Sequence, residues 1–294
     1  MTAPPVGRRE VVHADNLAVL ERLPDASFDL VYVDPPFNTG KRQRRTHMKT
    51  VQSDTGDRVG FGGKRYATTR TTESSFADTF DDYLAFLEPR MVHAHRVLKP
   101  TGALYLHLDY REVHYCKVML DGIFGRDNFQ NEIIWAYDYG ARSTKKWPAK
   151  HDNILYYAKN AARVFFDAQA VDRIPYMAPA LVGPEKAARG KLPTDTWWHT
   201  IVSPTGKEKL GYSTQKPLGV LRRIVTASCP KGGTVLDFFA GSGTTGAAAL
   251  EHGCGFLLVD QSAEAIAVMK RRFAGQKVSF VEAAGRAPGA IESE

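Results

Sequence analysis

The 294-residue chain sets 39 lysines and arginines against 32 aspartates and glutamates, a net charge of +7, with 43% hydrophobic and 24% charged residues. That balance allows a large buried core without cross-links, and the basic excess favours a polyanionic partner without establishing one. Cys116, Cys229 and Cys254 lie far apart in sequence with no CxxC or Cys/His spacing. A disulfide framework and structural zinc are therefore not expected, no metal is, and reduced thiols in a cytoplasmic protein are. The start of the chain has no apolar leader core, and no run of about 18 apolar residues occurs, so no membrane partner is expected.

In chain order, short apolar runs predict strands at 10–14 (ending at Asp15), 29–33 (into Asp34), 103–108 (into Asp109), 131–137, 153–158, 234–239 and 255–259 (into Asp260). Helical patterns follow several of them, beginning with NLAVLERL at 16–23. Strands alternating with helices imply an α/β fold on a mainly parallel sheet, and ligands of such sheets bind beyond the carboxyl ends of the strands, where these aspartates fall. Residues 38–75 are rich in Thr, Ser, Gly and basic residues and read as a mobile loop; residues 160–214, with Pro175, Pro179, Pro184, Pro193 and Pro204, read as a lobe outside the sheet. The expected organisation is a catalytic half over 8–159, a target-recognition region over 160–214 and a cofactor-binding half over 215–285.

Residues 235–246 read VLDFFAGSGTTG, a GxGxxG turn at Gly241, Gly243 and Gly246, and Asp260 ends the next expected strand. Glycines let the backbone approach an adenosine ligand, and the acid accepts from ribose hydroxyls. The loop alone suits either a nicotinamide dinucleotide or S-adenosylmethionine. Its late position leaves little chain for a second dinucleotide half, and Asp237, Thr244 and Thr245 offer polar groups for an amino-acid moiety.

The second motif is Asp34-Pro35-Pro36-Phe37, directly after an apolar strand. Two prolines fix φ and remove two N–H donors, which leaves a stiff turn with unshared carbonyls. A carboxylate beside such carbonyls receives an amino group well. Asp34 and the Pro35 carbonyl can thus accept from an exocyclic NH2 and orient its lone pair, while Phe37 stacks on the base.

These motifs resemble the amino-group DNA methyltransferases, the N6-adenine and N4-cytosine family, and the match covers most of the chain. The family pattern [DNS]-P-P-[YFW] is Asp34 to Phe37; its FxGxG loop is Phe239, Gly241 and Gly243; and Thr214-Gln215-Lys216-Pro217 is similar to the segment bordering the methionine part of the cofactor. The order, catalytic motif first and cofactor loop last, is that of the beta group. The resemblance implies a Rossmann-like S-adenosylmethionine-dependent methyltransferase sheet in circularly permuted order, with a small inserted target-recognition lobe. It implies cofactor contacts from Asp15, Gln215, Lys216, Pro217, Asp237, Phe239, Ala240, Gly241, Ser242, Gly243, Thr244, Thr245 and Asp260. Gln261-Ser262 departs from relatives that continue with an acidic residue or asparagine.

A base must leave the duplex to reach such a site, and phosphate contacts offset that cost. Lys41, Arg42, Arg44, Arg45 and Lys49 directly follow the catalytic turn; Arg142, Lys145, Lys146, Trp147, Lys150 and His151 form a second cluster. Both are expected on double-stranded DNA, with Trp147 either stacking or anchoring, and Trp197, Trp198 and His199 as candidates for target recognition. Asp at the first motif position favours adenine over cytosine. A C5-cytosine mechanism needs Pro-Cys, and this chain has Cys229-Pro230. Homodimerisation, pairing with a restriction nuclease, an RNA or protein-glutamine methyltransferase and a dinucleotide oxidoreductase stay open as alternatives.

Overall fold

The computed structural model describes residues 7–38, 41–52, 58–59, 65–78, 82–140, 142–203 and 205–282, with backbone alone between 41 and 78. Two units result: residues 36–83 form one, and the flanking segments 1–35 and 84–294 form the other.

The larger unit is built on a nine-stranded sheet. Each predicted apolar run is a strand: Arg9–His13 (β1), Phe28–Val33 (β2), Leu98–Leu108 (β6), Phe129–Ala136 (β7), His151–Ala158 (β8), Thr234–Asp237 (β10) and Gly255–Asp260 (β11). Two short strands were not evident from apolar content, Thr196–Trp198 (β9) and Ser279–Glu282 (β12). The spatial order is β12-β1-β11-β10-β2-β6-β8-β7-β9. Strands β12 to β6 run parallel, as expected. β8 is antiparallel to β6 and to β7, which corrects the reading of 131–137 and 153–158 as parallel strands. The reason is the connection at 137–150: it holds Gly140 and Pro148 and lacks the apolar period of a crossover helix, so it can close only a hairpin.

Side chains alternate across the sheet. Leu30, Tyr32, Tyr105, Ile154 and Tyr156 form one core layer with Leu218–Ser228 (α5), Thr244–Glu251 (α6) and Ala263–Arg272 (α7). Tyr157 points the other way and donates to Asp121 Oδ1 at 2.7 Å, on Val113–Phe124 (α3). Asn16–Leu20 (α1) and Tyr83–Val97 (α2) are the remaining major helices, and Pro184–Arg189 (α4) lies in the 160–214 segment. That segment is not a lobe apart from the sheet: β9 pairs with β7, and Ile134 N donates to Asp195 O at 2.7 Å. Its prolines shape the path between strands and leave three residues extended, enough to add an edge.

The smaller unit corrects the expected loop at 38–75. Lys41–Gln52 (β3), Arg58–Val59 (β4) and Arg65–Asp78 (β5) make an antiparallel sheet in the order β3-β5-β4. Thr46, Thr50, Thr68, Thr69, Thr71 and Thr72 are β-branched, and such residues favour extended backbone even where no core is available. Parts of the predicted loop, 39–40, 53–57 and 60–64, and residues 283–285 of the predicted cofactor half lie outside the described residues.

Among the described residues no helix is long and apolar enough to cross a membrane, and no group of three His, Cys, Asp or Glu could hold a metal ion. Cys229 and Cys254, distant in sequence, meet with sulfurs 3.5 Å apart; both are buried and unbridged. Cys229 sits near Asp29, at the amino end of β2 and so across the sheet from Asp34.

Candidate active site

β10 and β2 are neighbours, yet the chain leaves them in opposite directions, to β11 on one side and to β6 on the other. Such a switch point opens a crevice at the carboxyl ends of the strands. Asp34 follows β2 there, Asp237 ends β10 and Asp260 ends β11.

Asp34 is held by a residue from the far end of the sequence. Lys216 Nζ donates to Asp34 Oδ2 at 2.5 Å, with the two side chains only 12% and 16% exposed. The other oxygen, Asp34 Oδ1, is buried and has no hydrogen-bond partner among the described residues. A buried acceptor normally finds a donor, so an unpaired one at a strand end is a place where a ligand N–H fits. Pro35 belongs to the larger unit, whereas Pro36 and Phe37 fall in the smaller one.

The glycine loop is braced from three sides. Asp237 is buried; its Oδ1 accepts from Phe239 N at 3.0 Å and its Oδ2 from the Thr245 hydroxyl at 2.6 Å. These groups face one another, so Asp237 and Thr245 hold the loop rather than offering atoms to solvent. Asp260 Oδ2 accepts from Gly241 N and its Oδ1 from Ser262 N, both at 2.8 Å. Each oxygen keeps a second lone pair for a ribose hydroxyl. Arg272, on α7, donates through Nε to Ser242 O at 2.6 Å. Burial lowers its guanidinium to about 10. Ala240 is buried and Phe239 packs against Phe238 and Phe86.

The 208–217 segment packs on this loop. Gln215 is buried, its Oε1 accepting from Leu210 N and its Nε2 donating to Glu208 O. Glu208 Oε1 accepts from Leu218 N at 2.7 Å, just past Pro217, which opens α5. The Thr244 hydroxyl donates to Lys216 O at 3.2 Å. Lys216 thus touches the glycine loop with its backbone and Asp34 with its side chain. The sequence placed it with the cofactor only, because a pair 182 residues apart leaves no local pattern.

Asp15 caps α1, its Oδ1 accepting from Ala18 N at 3.1 Å. The residues beside it are the ones the sequence reading missed: Asn16 Nδ2 donates to Phe238 O at 2.7 Å, and Arg90 Nε donates to Asn16 Oδ1 at 2.7 Å. They tie α1 and α2 to the start of the glycine loop.

Burial, and then the charges of Asp34 and Asp260, push the Asp237 carboxyl up to about 7. Its folded value lies above the unfolded one, so its contribution to stability is present at low pH and is lost as pH rises through about 7. Urea unfolding of the wild type against Asp237→Asn should reveal a wild-type stability that falls between pH 4 and 7 relative to the variant, by up to about 4 kcal/mol. A pH-independent difference would contradict the assignment.

The carboxylates of Asp34 and Asp260 at this edge, with one ammonium on Asp34, suit a cationic sulfonium cofactor, and the glycine loop braced by Asp260 suits its adenosine part.

Of the DNA candidates, Lys41, Arg42, Arg44, Arg45 and Lys49 lie along β3. Arg142 to Lys146 line a cleft of about 650 Å³ in the β7–β8 loop. Lys150 lies 3.7 Å from Asp138, and His151 begins β8. Trp147 is 94% exposed, so it is not an anchor. The tandem tryptophans divide: Trp197 is buried under the Arg223 guanidinium, and Trp198 faces solvent.

A family profile described as DNA methylase, of the N6/N4 methyltransferase type, matches residues 28–271. The DNA adenine methyltransferase YhdJ of Escherichia coli (strain K12) is 29% identical over 272 residues, covering 90% of this chain and 82% of its own. Among solved structures, the PvuII DNA methyltransferase (cytosine-N4-specific) aligns over 90% of this chain and 86% of its own with a TM-score of 0.60 at 15% identity. The M1.HpyAVI–SAM complex aligns over 90% and 98% with a TM-score of 0.56 at 18% identity. At these identities the two structures share the fold. The profile spans the Asp34–Phe37 turn, Lys216 and the glycine loop together, and the chain belongs to the N6/N4 DNA methylase family: it is an S-adenosylmethionine-dependent amino-methyltransferase of DNA.

Proposed function

We propose that the chain methylates the N6 amino group of adenine in double-stranded DNA, at a base turned out of the helix. The observation that carries this is Asp34 Oδ1, a buried acceptor without a donor among the described residues, beside a lysine-fixed Oδ2. An exocyclic N–H fills that vacancy, and the hydrogen bond turns the nitrogen lone pair away from the carboxylate toward the crevice. The cofactor, when bound, supplies an electrophilic methyl group. Gly241, Gly243 and Asp260 would hold its adenosine part, with the 215–217 segment at its amino-acid end. Asp34 need not remove a proton beforehand, since the amine becomes acidic once alkylated. Its work is orientation and charge placement, which Lys216 supports by fixing one oxygen.

Adenine is favoured by Asp at the first motif position and by the adenine relative that spans most of the chain. The second reading, N4 of cytosine, is favoured by the fold likeness to a cytosine-N4 enzyme. Digestion of methylated DNA to nucleosides and mass spectrometry tests both: N6-methyladenine supports the proposal, and N4-methylcytosine replaces it with the second reading. The same proposal takes the exposed 142–150 loop and β3 as phosphate contacts. Neutralising Arg142, Lys145 and Lys146 together should lower the slope of log affinity against log salt by about 1 to 3, as should neutralising Arg42, Arg44 and Arg45. An unchanged slope would return either segment to plain solvated surface. We further infer a homodimer from Tyr115 and Val118, 64% and 71% exposed on one face of α3, which sedimentation velocity would test. A cytoplasmic enzyme, with access to the chromosome and reduced thiols, fits this reading, as does a place in a restriction-modification system.

A further inference from the structure

A row of polar side chains crosses the sheet beneath the catalytic edge. Tyr32 Oη lies 2.7 Å from His107 Nδ1, His107 Nε2 lies 3.2 Å from Asp152 Oδ2, and the Tyr137 hydroxyl donates to Asp152 Oδ1 at 3.0 Å. These residues come from β2, β6, β8 and the end of β7, strands that are successive neighbours. His107 is 0% exposed, Tyr32 2% and Asp152 7%. Polar groups here give up hydration that apolar side chains of similar size would not, so packing alone does not account for the row.

The partners assign the protons. A carboxylate only accepts, so His107 Nε2 carries the hydrogen and donates to Asp152, while Nδ1 on the other side of the ring shares a hydrogen bond with the Tyr32 hydroxyl. Burial, and then the charges of Asp34, Asp237 and Asp152, hold the Tyr32 phenol well above its usual range and so protonated.

The two ends of the row are informative. Tyr32 lies on β2 two residues before Asp34, close enough for the Asp34 charge to bear on its phenol. Tyr137 and Asp152 bracket the basic loop, whose neck is closed by Tyr137 N donating to Lys150 O at 3.0 Å. Nothing in the chemistry of methyl transfer uses these groups directly. We propose that Tyr32, His107, Asp152 and Tyr137 are positioning residues that hold the neck of the DNA-facing loop in register with Asp34. The row rests on the reading of the 142–150 loop as a DNA contact. Through it, a shift of the loop against the duplex is felt at the catalytic turn, and a misplaced loop leaves Asp34 out of line with the target amine.

Tyr32→Phe and Tyr137→Phe each remove one hydroxyl at opposite ends and leave the ring in place. Single-turnover methyl transfer at saturating cofactor and DNA is measured for each and for the pair, with cofactor affinity and melting temperature alongside. Each variant is expected to slow transfer about tenfold, a tenth of the loss that a 1 Å misplacement can cause. Cofactor affinity should stay within about twofold, and the double variant should lose much less than the product of the single losses, because both cut one connected row. Multiplicative losses, or lowered melting temperatures with unchanged transfer, would overturn the proposal in favour of a purely structural row. An unchanged salt slope in a Lys145→Gln, Lys146→Gln variant would instead overturn the reading of the loop on which the proposal rests.

Discussion

Asp34→Ala is expected to lower the single-turnover rate by about a thousandfold or more while leaving S-adenosylmethionine affinity within a few fold. Removing one preorganised partner from a reacting group typically costs 10²–10³ in rate, and here the same change also frees Lys216 to move into the space of the target amine. The glycine loop rests on Asp237, Asp260 and Arg272, whose hydrogen bonds do not involve Asp34, and Lys216 meets it through its backbone carbonyl rather than the side chain that Asp34 holds, so cofactor affinity should change little. Leaving the Lys216 ammonium without its 2.5 Å partner will lower stability too. Asp34→Asn separates the two effects, since it keeps the shape and one acceptor. It should fold nearly as well as the wild type and still lose at least a hundredfold in rate, because its amide presents donors where the target also presents donors. Isothermal titration with the cofactor and rapid-quench methylation check the pair; sustained turnover in either variant would remove Asp34 from the mechanism.

The second large effect is expected at Gly243→Ala. Gly243 adopts φ of +73°, and a Cβ there would lie 2.8 Å from Met269 Cγ and 3.2 Å from Phe273 Cε2. Left-handed backbone costs a non-glycine residue about 1–2 kcal/mol, and overpacking a core adds about 1–3 kcal/mol. The loop must shift to relieve the contact, so cofactor affinity should fall more than tenfold as stability drops by about 2–5 kcal/mol. Gly253→Ala supplies the control: its φ is +78° but nothing lies within 4 Å of the added Cβ. It should lose about 1 kcal/mol and bind cofactor normally. Equal loss of cofactor affinity in both variants would mean that the loop responds to general destabilisation.

Much of this was legible in the chain. Strands that bury both faces read as unbroken apolar runs, so β2, β6, β10 and β11 announce themselves, and the aspartates that end them point to the ligand edge. The catalytic turn and the glycine loop were legible because prolines and glycines constrain backbone locally. Three features were not. The strands at 41–52, 58–59 and 65–78 have no apolar alternation, and only their threonines hinted at strand. The direction of β7 and β8 depends on the connection between them, not on their composition. Lys216 on Asp34, and the row from Tyr32 to Tyr137, are long-range pairings of polar residues; each member alone looks like an ordinary buried or surface side chain. His107 sits in ALYLHLD as though it were one more core position.

The permuted strand order also governs when the protein can work. β1 has β11 and β12 for neighbours, and β2 meets β10 on one side, so strands within residues 9–33 wait for partners within residues 234–282. Contacts so distant in sequence close slowly. On the ribosome, the half that carries Asp34 would emerge with an open sheet edge and without Lys216 or the glycine loop. A nascent chain of this enzyme is therefore inert until the segment from Lys216 to β11 has been made.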